Sequence, residues 1–524
     1  MAQPKAKPLS FSTTIRNPER ISRFLSCILP FEGAVLTSTV IHDIIKNVIK
    51  DKCYITNNAL KNPALKRIYK NEDEQFTDAQ LEQIIRISPQ KHKEAGFQTG
   101  WDSRFDTWYK MIKEFGFINY SMNEPIVVTT TGHMLVDAYR ENPKNEKKER
   151  MIFLNALSRY YTNNPLRKNL NRNAPLPFLL NVIKCLKEDE EENGAGVARH
   201  ELPILICWRD NDANAAYNYI KSIRQRHGFN CSDEFIYDKC LDILENRNKK
   251  YLKMSQICHE AVDEYIRKMR MTGLVSLRGH GRFIDINAYQ QELADYVMDN
   301  YMDIPEFDSV SEYVEYMGSI DPEILQIEQE SPEIDTSDVK IAALDKYAEE
   351  YAPEKIFDEL KKVCEKRESS DELLRFINGP TRLEFLTSIA LIQNFDNIEI
   401  LPNYSVDDEG LPTFTAGGGH ADIECYDSDY DSYYEVTLMT GRQDQVNDEI
   451  IPISRHLRNV IEQKRAESFS VLVAPVIHDD TREAAAWQKH RHHIDILPFT
   501  VYEFIEQLKE CERPSDMLAM AETI

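Results

Sequence analysis

Through most of the first 300 residues, apolar positions recur every three or four residues, the spacing of helices buried along one face. Residues 21–29 and 40–49 read this way, on either side of a turn at Pro30, Phe31, Glu32 and Gly33. Residues 78–87 predict a helix with Thr77 placed to cap its start. Trp101, Phe105, Trp108, Ile112 and Phe115 fall along one face of a further helix, which Gly116 stops. The period then shortens. Residues 117–120 and 126–129 predict a short hairpin around Asn123, Glu124 and Pro125, and Thr131 to Leu135 opens another helix. The same order returns later. Residues 261–271 read as a helix bearing Arg267, Lys268 and Arg270, followed by strands at 273–277 and 282–286 around Arg278, Gly279, His280 and Gly281.

Helix, hairpin, then helix is the order of a winged helix, so two such subdomains are expected, at about 95–140 and 255–290. The basic loop of the second would be a wing tip suited to phosphate or minor-groove contact. Arg104 and Lys110 on the first helix, with Arg278, His280 and Arg282 on that wing, are the candidate DNA-binding residues. Residues 61–70 add a basic patch, and residues 1–20 read as a flexible lead-in. Residues 301–337, acidic and broken by Pro305, Pro322 and Pro332, read as a linker. A long charged helix is expected over 341–366, so the acidic linker and connecting helix would fill 301–370 and the last domain 371–524.

In that last domain two pieces alternate apolar and polar residues as half-buried strands do. One is Gly419-His420-Ala421-Asp422-Ile423-Glu424-Cys425 and the other Tyr434-Glu435-Val436-Thr437-Leu438, with a turn over 427–432 between them. Asp422 and Glu435 on adjacent strands could hold one divalent cation. Magnesium takes oxygen ligands and keeps several waters, and an ion so placed can activate water and offset charge on a phosphodiester. Upstream, Thr381 to Leu386 reads as a helix with a third acid, Glu384. Downstream, 442–464 reads as a helix kinked or split at Pro452, and 469–475 as a buried strand. Three glycines, Gly417 to Gly419, are expected to let another backbone approach closely. Helix, strand, strand, helix, strand is the order of the PD-(D/E)xK nuclease core. The fold expected is therefore multidomain: a mostly α recognition region over 1–300 with winged-helix subdomains, then a C-terminal α/β nuclease domain.

Charge sharpens this division. The chain of 524 residues carries a net charge of −24, yet residues 1–300 hold 44 basic and 38 acidic residues against 19 and 49 in the remainder. An acidic cleavage domain delivered by a separate recognition domain fits that asymmetry. No apolar run is long enough to span a bilayer, and the N-terminus has no signal-peptide core. Ten cysteines without a Cys-x-x-Cys pair read as reduced, buried thiols, not disulfides or a zinc site, which points to the cytoplasm.

Four separated blocks carry a resemblance. Leu383 to Leu386, Gly417 to Glu424, Glu435 to Thr437 and Pro452 to His456 resemble the cleavage domain of AlwI-type type IIS restriction endonucleases, a family that includes BstNBI-type nicking enzymes and their MlyI and PleI relatives. Arg16 to Ile21, Phe31 to Gly33 and Tyr265 to Gly281 resemble its front end. The resemblance implies recognition of a short asymmetric double-stranded DNA site and cleavage a few base pairs to one side, with Mg²⁺ and with Mn²⁺ as substitute. It also implies transient dimerisation through the cleavage domain and a cognate DNA methyltransferase. It places Asp422 and Glu435 as direct metal ligands, Glu384 as a third acid that would complete the metal shell directly or through water or bind a second ion, and Glu449 as a further acid on the next helix. His456 would lie close to the scissile phosphate. Thr437 stands where the general motif has lysine; Arg442, Gln443 or Gln445 could reach back instead. His420 reads as a histidine at the edge of the core. The alternatives are a strand-specific nicking enzyme, a nuclease of transposition or repair, and a winged-helix regulator with an inactive nuclease fold.

Overall fold

The computed structural model describes residues 5–521 apart from 11–14, 16–17, 142–143, 193, 333, 429 and 465–466. Arg16 and Asn17 of the front-end motif and Asp429 of the hairpin turn therefore lie outside the described residues. The chain forms two compact units. One contains residues 1–65 and 76–333, the other 66–75 and 334–524. No helix among the described residues is long and apolar enough to cross a membrane.

The first unit is mostly helical. It opens with α1 (Glu19–Ile28) and α2 (Ser38–Lys50), whose Ile41, Ile44, Ile45, Val48 and Ile49 are buried at the helical period. The Thr77 cap is present as a full capping box with Gln80 on the helix Asp78–Ile87. Next come α3 (Trp101–Glu114), the short hairpin β1 (Ile118–Asn119) and β2 (Val127–Val128), and α4 (Thr130–Arg140). Gly116 turns the chain out of α3 at φ +78°, and a side chain there would collide with Met317. Further on, β3 (Val197–Ala198), α5 (Ala261–Arg270), β4 (Val275–Arg278) and β5 (Phe283–Ile286) build a three-stranded sheet in the order β3-β5-β4. The two expected helix–hairpin segments thus exist as elements. The third strand was not foreseen, because two residues are too few to show a period.

Two stretches differ from the sequence reading. The expected lead-in is packed where it is described: Ala6, Leu9 and Ile15 are buried, and the Leu9 amide donates to the Ile206 carbonyl. The expected linker folds as two helices, Val310–Gly318 and Pro322–Glu330, within the first unit. Tyr313, Val314, Met317, Ile324 and Ile327 are buried there at helical spacing, and the Tyr313 hydroxyl donates to the Glu114 carbonyl. Burial of these apolar side chains outweighs the surrounding acids.

The second unit begins at 334, not near 370. The expected long helix is two, α6 (Ser337–Glu350) and α7 (Pro353–Cys364), separated where Pro353 removes an amide donor. α8 (Gly379–Asn394) is buried all round from Thr381 to Leu391 because it lies against helices on one side and the sheet on the other. The sheet comprises β6 (Glu399–Pro402), β7 (Ile423–Tyr426), β8 (Asp431–Val436), β9 (Ser468–Ala474) and β10 (Asp495–Thr500). Its order is β10-β9-β8-β7-β6, parallel across β8, β9 and β10 and antiparallel across β6, β7 and β8. The helices α9 (Ile451–Lys464) and α10 (Asp479–His492) cover one face. α8 and α11 (Val501–Glu510) cover the other.

Residues 66–75 reach this unit from far upstream in the chain. Glu72 accepts the Thr440 amide at 3.0 Å and Asp73 accepts the Arg442 amide at 2.7 Å. These are caps on the start of the helical stretch that follows β8, and no local pattern could announce them. The net charge follows the same division. The first unit holds 41 basic and 45 acidic residues, the second 22 and 42. The acidic surplus remains on the second unit, but the first is close to neutral instead of cationic because it takes in the acids of 301–333.

Candidate active site

The register of the β7–β8 hairpin sets the site. Tyr434 pairs with Ile423, so the next step along both strands places Glu435 opposite Asp422. Directly opposed residues share a sheet face, with Cβ atoms about 5 Å apart. The two acids are also cross-linked through the backbone. The Val436 amide donates to Asp422 Oδ2 at 2.7 Å, and the Asp422 amide donates to the Glu435 carboxylate. Asn403 pins the backbone here: its amide donates to the Asp422 carbonyl at 2.9 Å, and its Nδ2 donates to the Ala421 carbonyl at 2.7 Å.

Two further acids converge on the pair. Glu384 is buried in α8 and its Oε2 accepts the Ala416 amide at 3.0 Å. Glu449 lies in a π-turn, Gln445–Ile450, that runs directly into α9. That wide turn lets the helix continue past Pro452, where a kink or split was expected, and such turns recur at functional sites. Thr437, at the position of the missing lysine, hydrogen-bonds Glu449.

The electrostatics are those of like charges crowded out of water. Burial pushes Asp422 up to about 7. It pushes Glu449 up to about 7 as well, with Asp422 adding to the effect. Glu435 is pushed well above the carboxylate range by burial and then by Asp422, Glu449 and Glu384. Four acids therefore share one field. Among the described residues, no three of these acids bring one oxygen each within 4.8 Å of one another. An octahedral ion with three direct ligands from this set would bring them closer than that, so at most two can grip one ion directly in this arrangement. An all-oxygen set that raises its own proton affinity fits a hard, partly hydrated divalent cation.

The remaining residues named from sequence separate into those at the site and those engaged elsewhere. His456 has a buried Nδ1 without a hydrogen-bond partner, and burial, Arg455 and His420 hold its pKa below the usual value. His420 is exposed, 3.8 Å from Glu424. Gln443 is exposed, and Arg442 lies 3.5 Å from Asp480. Gln445 is fully buried and bonded to the carbonyls of Met439 and Val476 and to the Thr481 hydroxyl, so it holds the turn together and does not reach back to the acids. Gly417 and Gly419 have open space where a side chain would stand, so no backbone approaches them; Gly419 answers to its φ of +106°.

Two residues at the site had no sequence signal. Lys340 of α6 donates to the Pro402 carbonyl at 2.9 Å and lies over the Tyr404 ring. Burial lowers its pKa, while Asp335 and Glu384 hold it up. The Tyr404 hydroxyl is fully buried, has no hydrogen-bond partner and is pushed upward by burial and then by Glu384. Both are a lone lysine and a lone tyrosine in sequence. Only the packing of α6 on α8 and β6 brings them to Glu384.

On the first unit, Arg104 is taken up by His92 at 2.8 Å and by the faces of Tyr54 and Trp108. Lys110 is half-exposed, 3.5 Å from Glu94. Arg278 Nε donates to Asp285 at 2.6 Å and its NH2 to the Ile286 carbonyl, so its guanidinium braces the β4–β5 hairpin. Lys268 is fully buried beside Glu264. Arg282 is exposed at the tip, next to His280, which adopts a left-handed φ of +59°.

A mixed sheet flanked by helices, with four acids at the open end of its hairpin, has the donor set of a metal-assisted nuclease. The comparison with protein families agrees: the AlwI restriction endonuclease model matches residues 113–334 and 320–507. The chain belongs to that family and is a restriction endonuclease, a hydrolase of DNA phosphodiester bonds. Among solved structures it is similar to the small subunit of the heterodimeric restriction endonuclease R.BspD6I, with 22% identity over 32% of this chain and 86% of that one and a TM-score of 0.27. It is also similar to the restriction endonuclease FokI, with 11% identity over 97% of each chain and a TM-score of 0.25. For FokI bound to DNA the values are 12%, 98% of each chain and 0.25. No curated protein matches the chain.

Proposed function

We propose that this enzyme is a Mg²⁺-dependent type IIS restriction endonuclease of the PD-(D/E)xK type, which reads a short asymmetric site in double-stranded DNA and cuts to one side of it. The pairing of Asp422 with Glu435 across the hairpin, with Glu384 and Glu449 in the same field, carries this reading. Asp422 and Glu435 would hold the ion directly, with Glu384 acting through water or on a second ion. When bound, Mg²⁺ or Mn²⁺ supplies Lewis acidity at the scissile phosphate and lowers the pKa of water. The protein's part is orientation. Val436 and Asn403 fix the Asp422 carboxylate and backbone, and Ala416 fixes Glu384. Glu449 and His456, whose buried Nδ1 has no hydrogen-bond partner, would take or hold a proton beside the phosphate. Lys340 supplies a positive charge to Glu384 where the motif lysine is missing at Thr437.

The first unit would carry recognition. Its two helix–hairpin segments are read as winged helices, with Arg282 and His280 on the wing of the second and Lys110 on α3 as DNA contacts. Pairing of two cleavage units would be needed to cut both strands, and a methyltransferase of the same specificity would protect the host. The test is direct. Purified protein with phage DNA and Mg²⁺ should give discrete fragments whose ends lie at a constant offset from one asymmetric sequence. Nicked circles from plasmid DNA would make it a nicking enzyme. Random or absent cleavage would overturn the type IIS reading.

A further inference from the structure

In the first unit, α1 and the turn after α2 bring two thiols and a carboxylate together. Cys27 Sγ and Cys53 Sγ are 3.6 Å apart, and Asp51 Oδ2 lies 3.7 Å from the first and 3.0 Å from the second. Among the described residues this is the one group of three His, Cys, Asp or Glu side chains whose ligating atoms all lie within 4.8 Å of one another. Both thiols are buried, while Asp51 is half-exposed. The sequence reading took the cysteines as free thiols, since 25 residues separate this pair and no Cys-x-x-Cys marks it.

We propose that Cys27, Cys53 and Asp51 form a zinc site that clips α1 to the end of α2, with the fourth position open to solvent on the Asp51 side. Two of the three separations, 3.6 Å between the sulfurs and 3.7 Å from Cys27 to Asp51, are close to the edges of a tetrahedral site, and the third, 3.0 Å from Cys53 to Asp51, would open by about 0.6 Å as the ion enters. With Zn–S near 2.3 Å and Zn–O near 2.0–2.2 Å, the edges of the tetrahedron are about 3.8 Å between sulfurs and about 3.6 Å between sulfur and oxygen. A pair of thiolates selects zinc over the hard cations suited to the four-acid cluster. Charge also balances. Two thiolates and one carboxylate against Zn²⁺ leave a single negative charge, and Arg23 meets it, its Nε donating to Asp51 Oδ2 at 2.9 Å. Such a partner behind a ligating carboxylate is the usual support of a metal ligand. Arg20 donates to the Cys53 carbonyl and holds the turn. Without a metal the Cys53 thiol is pushed far upward by its contact with Cys27 and by burial, so binding would release protons.

The test uses the full chain, purified without chelator or metal-affinity resin. Metal analysis should find about one zinc per chain, and Co²⁺ substitution should give a thiolate-to-cobalt charge-transfer band. Cys27→Ser and Cys53→Ser should each lose more than nine-tenths of the zinc. Cys185→Ser and the double variant Asp422→Ala/Glu435→Ala should keep it, which separates this site from the cleavage site. Because a serine variant can fail to fold, wild-type protein stripped by chelator provides an independent reading. Its melting temperature should fall by roughly 5 °C and return with Zn²⁺. The proposal is overturned by absence of zinc and of a cobalt band in folded wild-type protein, by zinc retained in both serine variants, or by a Cys27–Cys53 disulfide in protein isolated without reductant.

Discussion

Two hairpins in this chain carry charge in opposite ways. In the β4–β5 hairpin, Asp285 lies between Arg278 at 2.6 Å and Lys187 at 3.1 Å, and its side chain is 3% exposed. In the β7–β8 hairpin, Asp422 faces Glu435, with Glu384 and Glu449 adding to the repulsion. A buried acid with two cations is held for the fold's sake, because removing either partner leaves a charge in a poor solvent. Half-buried acids set against each other, with Glu384 buried beside them, cost the fold stability. They are retained where a ligand supplies the missing charge, and perturbed groups of this kind cluster at functional sites.

The comparison can be broken most sharply at the acid pair. Asp422→Ala and Glu435→Ala should each lower cleavage by about 10³-fold or more. Gel-shift affinity for the specific duplex should be unchanged or stronger, since a carboxylate near phosphate is repulsive without its ion. The converse change in the β4–β5 hairpin, Asp285→Asn, should cost about 3 kcal/mol in denaturant unfolding, because Arg278 loses its charged partner. Cleavage per folded molecule should stay within a few-fold of wild type. Equal effects of both changes on activity would erase the distinction.

A subtler consequence concerns pH. Asp422 is held at about 7, above its ordinary 3.8. A carboxyl raised by folding favours the fold below its unfolded value, and that advantage is lost as pH climbs to the folded value. Metal-free protein should therefore lose stability between about pH 4 and pH 7, with Glu449 contributing over the same range. Added Mg²⁺ should restore it, and Asp422→Asn should flatten the loss. Melting curves from pH 5 to 8, with and without Mg²⁺, read this directly; a flat metal-free profile would mean that burial does not raise these acids. The smallest effect is expected at Lys340. Its replacement by Met should reduce cleavage about tenfold and move the pH profile upward, since Glu384 then loses a nearby cation. Lys340→Arg should retain more activity.

The cleavage hairpin was legible because alternation over Gly419 to Leu438 fixes which residues share a face. Thr77 was legible as a cap, since capping chemistry is local. The acidic stretch over 301–333 was misread because composition hides a helical stripe such as Tyr313, Val314 and Met317. The caps from Glu72 and Asp73, and the approach of Lys340 and Tyr404 to Glu384, depend on contacts between distant segments, which no window of sequence contains. The same holds for Cys27 and Cys53. Arg104 and Arg278 read as DNA-binding candidates because a sequence shows the charge and not its partner.

The central claim is that Asp422 and Glu435 hold the ion that makes cleavage possible. The direct measurement is cleavage of phage DNA by wild-type, Asp422→Ala and Glu435→Ala protein across a Mg²⁺ titration that begins in excess EDTA. The expected result is no product in EDTA, discrete fragments from wild type as Mg²⁺ is restored, partial replacement by Mn²⁺, none by Ca²⁺, and no cutting by either variant. Cleavage that persists in EDTA, or survives both alanine changes, would contradict it.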